Sequence, residues 1–264
     1  MPMATLRVTP IPCLEDNYAY LLDDGSGELA IVDASEAEPV EAKLAQAKGR
    51  LTAVFATHHH HDHVGGNEAI ARRHPGIRIF GHESDRGRLP GQTEFLADGA
   101  SFTWGRTNVR ALHIPGHTLG AVAYVMGDAV FTGDTLFLAG CGRLFEGTPA
   151  MMYRSLNEVL GALDPATRVY CGHEYTAQNL AFAASVEPGN AKVAERIART
   201  RELRAKDEPT VGSPLSEEFQ TNPFMRCKSP ELRSSLNVDA DAPDVEVLAA
   251  ARRAKDTFRP PKTI

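Results

Sequence analysis

Five histidines and an aspartate stand within six positions in the run Thr57-His58-His59-His60-His61-Asp62-His63-Val64-Gly65-Gly66. Imidazole and carboxylate are the donors that zinc and other borderline divalent metals take. The run lies deep inside the sequence, which rules out a purification tag. His58 and His60 are two apart, so in an extended backbone both project to the same side. Asp62 and His63 form a second group, and Gly65 and Gly66 are expected to let the chain turn tightly into a helix. Two donor groups are too many for one tetrahedral ion and suit two adjacent ions. Such a pair shares a water and lowers its pKa towards neutrality, giving a hydroxide nucleophile. It also stabilises the negative oxygen that forms when hydroxide adds to a carbonyl. No serine or cysteine nucleophile is then required.

A binuclear site needs more donors than the run supplies. Three places offer them, each at the end of a strand-like segment: His117 in Leu112-His-Ile-Pro-Gly-His-Thr-Leu-Gly120, Asp134 in Val130-Phe-Thr-Gly-Asp-Thr-Leu136, and His173 in Val169-Tyr-Cys-Gly-His-Glu-Tyr175. The last two follow glycine directly, which permits close backbone approach.

The elements that must carry these residues read as a mixed sheet. Tyr18–Leu22 and Leu29–Val32 read as paired strands about the turn signal Asp23-Asp-Gly-Ser-Gly27. Val40 and Leu44, four apart, put a helix over Pro39–Ala47. The apolar segment Leu51–Ala56 reads as a buried strand feeding the histidine run, and a helix follows over Asn67–Arg73. Further strands are expected at 77–80, 109–112, 121–125, 129–131 and 168–170, with a helix over 151–163. From about Tyr175 the texture becomes helical: 177–185, 191–206, 231–235 and 245–258, with proline-bearing joints such as Glu208–Pro214. Strands first and helices later favour segregated layers over a repeated parallel array, and place a domain boundary near 175.

Composition sets the outer limits. The chain has 264 residues, 42% hydrophobic and 23% charged, enough for a sizeable core. No apolar run approaches the ~20 residues that span a bilayer. The start, Met1-Pro-Met-Ala-Thr-Leu-Arg7, lacks the charged head and apolar run of a signal peptide, so a cytoplasmic location is expected. A net charge of −6 argues against general nucleic-acid binding. Cys13, Cys141, Cys171 and Cys227 are scattered with no Cys-x-x-Cys pair and read as free thiols of a reducing compartment.

The ordered set His-x-His-x-Asp-His, then His117, Asp134 and His173, resembles the metallo-β-lactamase superfamily of hydrolases over roughly residues 5–175. The resemblance implies an α+β chain: a four-layer αββα sandwich over 1–175, then a smaller all-helical substrate-binding domain over 176–264. It assigns His58, His60 and His117 to one metal, and Asp62, His63 and His173 to the other, with Asp134 bridging both. Asp62 and Asp134 carry the catalytic roles, Asp62 by also orienting the hydroxide. His59 and His61 are left over, pointing away or supporting the ligands. Two divalent ions per chain are implied, zinc first, with iron or manganese also suited to the donors.

The superfamily cleaves many bonds, so the substrate must be read elsewhere. Phe131-Thr-Gly-Asp-Thr-Leu-Phe137, Gly140-Cys-Gly-Arg-Leu-Phe-Glu-Gly147, Cys171-Gly-His-Glu-Tyr-Thr176, Asn222-Pro-Phe-Met-Arg226 and Arg252-Arg-Ala-Lys-Asp-Thr-Phe258 resemble the hydroxyacylglutathione hydrolases, or glyoxalase II, along nearly the whole chain. That resemblance implies hydrolysis of S-D-lactoylglutathione to D-lactate and glutathione. It makes Arg143, His173, Tyr175, Arg252 and Lys255 the substrate-binding set, with Arg252 and Lys255 on one helix face meeting a glutathione carboxylate. A small-molecule partner and a monomer are expected, with no nucleic acid or membrane. A glutathione persulfide dioxygenase or a lactonase would share the scaffold; the complete second-metal set and the basic final helix point away from the first, and the basic final helix from the second. Phe145 stands where some family members have tyrosine, and Ala121 where the family often has histidine.

Overall fold

The computed structural model describes residues 6–259. The chain forms two compact units. One comprises the chain up to His113 together with Leu119–Gly133 and Tyr170–His173; the other comprises Ile114–Thr118, Asp134–Val169 and the chain from Glu174 onward.

The first unit is built on two sheets. Strands β1 (Arg7–Cys13), β2 (Asn17–Asp23), β3 (Glu28–Val32), β4 (Arg50–Phe55), β5 (Arg78–His82) and β6 (Glu94–Leu96) lie side by side in that order. The first three run antiparallel, and β3 to β6 run parallel. Parallel neighbours need crossovers, which α1 (Ala37–Leu44) supplies between β3 and β4. Between β4 and β5 the crossover holds α2 (His61–Val64) and α3 (Asn67–Arg73). Ala37 and Val40 of α1 and Ile70 of α3 pack with Leu21, Ile31, Val54 and Ile79 on one face of this sheet. The second sheet contains β7 (Ser101–Trp104), β8 (Thr107–His113), β9 (Val122–Met126) and β10 (Ala129–Gly133), antiparallel throughout. Aromatic rings fill the space between the sheets. Phe80 stacks on Phe102 at 4.8 Å, Phe55 meets Tyr124 at 5.2 Å, and Tyr20 meets Phe131 at 5.5 Å. The strands expected from the sequence are present, and β1, β6 and β7 are additional to them.

The second unit is mainly helical: α4 (Pro149–Tyr153), α5 (Thr176–Val186), α6 (Ala191–Arg204), α7 (Leu215–Thr221), α8 (Pro230–Ser235) and α9 (Asp244–Thr257). The expected single helix over 151–163 is instead three turns of different pitch. α4 passes into a π-helical stretch at Arg154–Val159 and a 3₁₀ turn at Leu160–Ala162. Asn157 donates its side-chain amide to the Tyr153 carbonyl four residues earlier, competing for the helix's own acceptor and loosening the turn. Beneath α6 and α7 lies a buried ion pair, Arg196 to Glu218 at 2.6 Å. Glu218 also accepts from the Ala139 backbone at 2.7 Å, pinning the two-stranded ribbon Leu136–Phe137 and Gly140–Cys141. All four cysteines are free and buried, as expected. Among the described residues no helix is long and apolar enough to cross a membrane.

Candidate metal centre

In the first unit β4 delivers the histidine run and β3 delivers what orients it. Asp33, directly after β3, is 2% exposed and adopts a left-handed φ of 53°. Its Oδ1 accepts from the Thr57 backbone at 2.7 Å, and its Oδ2 accepts from the Thr57 hydroxyl at 2.7 Å and His63 Nδ1 at 2.9 Å. Since the Thr57 proton goes to Asp33, Thr57 Oγ1 is the acceptor for His58 Nδ1 at 3.0 Å. One carboxylate thus sets two imidazoles, His63 directly and His58 through a hydroxyl. His58 and His60 lie as the sequence implies, with an extended His60 (ψ 141°) and ring centroids 4.8 Å apart. The expected loop beyond is a short helix, α2. Gly65 is not left-handed (φ −59°). Both glycines are required by contact instead. A Cβ at Gly65 would lie 2.9 Å from the His61 carbonyl, and one at Gly66 would lie 2.7 Å from the Ala34 carbonyl.

Asp62, His63 and His173 converge. His63 Nε2 is 3.3 Å from His173 Nε2, and Asp62 Oδ2 lies 3.6 Å and 3.4 Å from these two nitrogens. The β1–β2 turn holds the group from behind. Asp16 Oδ1 accepts from His173 Nδ1 at 2.7 Å, and Asn17 Nδ2 donates to Asp62 Oδ2 at 3.1 Å. With Nδ1 of both His63 and His173 donating to carboxylates, each Nε2 faces inward as an acceptor, and Asn17 Nδ2 lies 3.4 Å from that of His173. Two such acceptors and an oxygen of the partly exposed Asp62 carboxylate, all within 4 Å of one another, form a cluster that a cation among them would stabilise. The donor set therefore fits a divalent metal.

The second unit prepares its own pair. His117 Nδ1 donates to the Arg143 carbonyl at 2.8 Å, and its Nε2 is 3.6 Å from Asp134 Oδ2. Both side chains are buried. A Cβ at Gly142 would overlap the Asp134 carbonyl and lie 2.9 Å from His117 Nδ1, so only glycine lets this loop reach His117. Phe145, 62% exposed, sets its ring edge-on to His117 at 5.2 Å.

The substrate candidates are unequally exposed. Arg252 is 6% exposed; it donates to the Cys141 carbonyl at 2.8 Å and pairs with Asp256 at 2.9 Å. Lys255 is half-buried and donates to the Gln178 carbonyl at 3.1 Å. Burial, then the neighbouring Arg252 charge, brings its ammonium down to about 8. Tyr175 is half-buried against Phe137, with ring centroids 5.3 Å apart, and the Arg143 side chain is exposed. His61 is exposed, and half-buried His59 lies beside Asp85.

Asp16, Asn17, Asp33 and Thr57 were not legible as functional residues from their types alone. Position carries a faint signal: each adjoins the end of an apolar strand.

Comparison with known proteins agrees with this geometry. Residues 14–173 match the family model "Metallo-beta-lactamase superfamily", and residues 174–258 match "Hydroxyacylglutathione hydrolase C-terminus". The chain is 49% identical over 257 residues to the hydroxyacylglutathione hydrolase of Methylococcus capsulatus, covering 96% of this chain and 99% of that one. It is 42% identical over 262 residues to the cytoplasmic hydroxyacylglutathione hydrolase of Arabidopsis thaliana, covering 96% and 100%. The crystal structure of ETHE1 from Myxococcus xanthus superposes with a TM-score of 0.65 at 25% identity, covering 95% of this chain and 97% of that one. With both family models matched and near-complete overlap with curated relatives, this chain belongs to the hydroxyacylglutathione hydrolase family of the metallo-β-lactamase superfamily.

Proposed function

We propose that this chain hydrolyses S-D-lactoylglutathione to D-lactate and glutathione in the cytoplasm. Residues 1–175 would act as catalytic domain and 176–264 as substrate domain. The observation that carries the reading is the convergence of the His63 and His173 Nε2 atoms with the Asp62 carboxylate. Two divalent ions, zinc first, would be held by His58, His60 and His117 and by Asp62, His63 and His173, with Asp134 shared. Bound there, they would supply an acidified water and an electrophile for the developing oxyanion.

The protein's own groups do the rest. Asp33, Thr57, Asp16 and the Arg143 carbonyl keep four histidines in the Nδ1–H form. Asn17 holds one oxygen of Asp62 in place while the carboxylate orients the attacking water. Arg143, Tyr175 and Lys255 bind the glutathione peptide, Lys255 through a carboxylate. Arg252 joins the set while holding the ribbon at Cys141. Water oxygen adds to the carbonyl carbon, the C–S bond breaks, and sulfur leaves as thiolate that takes up a proton. A thiol pKa near ~8.5 makes thiolate a good leaving group, so no dedicated general acid is needed.

The test sets glutathione and coenzyme A thioesters side by side, with metal analysis of the same sample. Turnover of the glutathione thioester, abolished by chelation and restored by zinc, is expected. Lys255→Ala should chiefly raise KM. A metal-loaded protein inert towards lactoylglutathione, or a Lys255→Ala variant with unchanged KM, would refute the substrate assignment.

A further inference from the structure

His59 is the half-buried histidine that the proposed ligand set leaves over. Its Nε2 accepts from Arg88 Nη2 at 2.6 Å, so its proton stands on Nδ1, which lies 3.2 Å from Asp85 Oδ1. Arg88 Nη1 closes the triangle at 3.6 Å from the same oxygen. Asp85, in the 3₁₀ turn Glu83–Asp85 after β5, is 0% exposed. Neither of its carboxylate oxygens accepts an aligned hydrogen bond among the described residues. The Gly120 backbone closes over this carboxylate so tightly that any Cβ at 120 would overlap it.

Burying a carboxylate this way is costly, and a merely structural purpose does not explain it. The turn is already held by its own backbone: the Arg86 amide donates to the Glu83 carbonyl at 3.2 Å, and the Arg88 and Leu89 amides donate to the Asp85 carbonyl at 2.9 and 3.2 Å. Within that segment the side chain makes only the long pairing with Arg88 at 3.6 Å. It faces His59 instead, which sits between His58 and His60. We infer that Asp85 is a positioning residue for the metal centre: through His59 it fixes the backbone shared by His58 and His60 and so sets the angle at which both imidazoles are presented. The inference rests on the proposed reading of His58 and His60 as ligands. It also gives His59 a role that the spacing of the run left undefined.

The experiment measures zinc bound at buffered free zinc for the wild type, Asp85→Asn, His59→Asn and the double variant. Each protein is also unfolded in chelator to record the stability of the metal-free fold. Either single substitution should raise the half-saturating zinc concentration about tenfold or more. The double variant should be no worse than His59→Asn alone, because the carboxylate acts through that ring. Wild-type zinc affinity in Asp85→Asn, or losses that multiply in the double variant, would overturn the inference. So would a fall in metal-free stability with zinc affinity intact. If Asp85→Asn does not fold, His59→Asn and Arg88→Gln decide the matter: unchanged zinc affinity in both overturns the inference, and weakened affinity in both supports it. A wild-type chain that binds no divalent metal would overturn the proposed function itself.

Discussion

Asp33→Asn is the most searching single substitution in the ligand support. Asparagine keeps the size of the side chain and tolerates the left-handed φ of 53°, so the backbone is not strained. What changes is the sign of one side of the group. If the amide oxygen keeps the Thr57 N–H, the amide nitrogen faces His63 Nδ1 and the Thr57 hydroxyl, both of which now donate to Oδ2. Relief requires His63 to move its proton to Nε2, the atom aimed at Asp62 and His173. It also requires Thr57 to turn its hydroxyl towards His58 Nδ1, driving that proton to Nε2 as well. Loss of such support weakens metal binding by ~10–100-fold, and 100-fold corresponds to ~2.7 kcal/mol. The metal-free fold also suffers: two hydrogen bonds to a charged group, at ~1.5 kcal/mol or more each, amount to about 3 kcal/mol. For a chain of this size that lowers Tm by ~6–12 °C. Zinc competition against a chromophoric chelator and calorimetry in excess chelator read the two effects separately. Wild-type zinc affinity beside a lowered metal-free Tm would show that Asp33 only braces the strand end. The tautomer argument would then fail.

Two further outcomes follow from the second unit. Gly142→Ala should displace His117, and a shift near 1 Å costs ~100-fold in kcat, so wild-type kcat in a folded variant would refute the close-contact reading. Lys255, lowered to about 8 by burial and then by Arg252, carries its charge below that pH and loses it above. KM for the glutathione thioester should therefore rise as pH climbs through about 8, while Lys255→Arg, which stays charged, gives a flatter profile. Between that value and the ordinary lysine pKa near ~10.4, the unfolded chain binds more protons than the folded one, so folding stability rises with pH across that window.

The convergence of Asp62, His63 and His173 was legible because imidazole and carboxylate clusters have few other uses, and because strand ends in α/β sheets are where such groups gather. Asp33 was not, because an aspartate after a strand is the same letter whether it caps a turn or sets two tautomers. Only the fold brings Thr57 and His63 to it. Arg252 shows what spacing leaves open. Three-residue spacing shows that Arg252 and Lys255 share a helix face, but not that the longer side chain turns inward to the Cys141 carbonyl. Helix periodicity recovered α3, α5 and α6 almost to their ends. It missed the π-helical turn at 154–159, where the Asn157 amide reaches the Tyr153 and Phe224 carbonyls, because residue spacing does not record such contacts.

The β1–β2 turn adds a consequence for how the protein is made. Asp16 and Asn17 reach His173, so one face of the metal centre is closed by residues 157 and 156 positions apart in sequence. Closing so long a loop is entropically demanding, and contacts of that range form late relative to local helices and hairpins. A nascent chain still short of residue 173 therefore has the histidine run but lacks His173, the partner of Asp16. On the proposed ligand set, tight metal capture waits for residue 173, and a bound ion would act as a cross-link between the beginning of the chain and its middle.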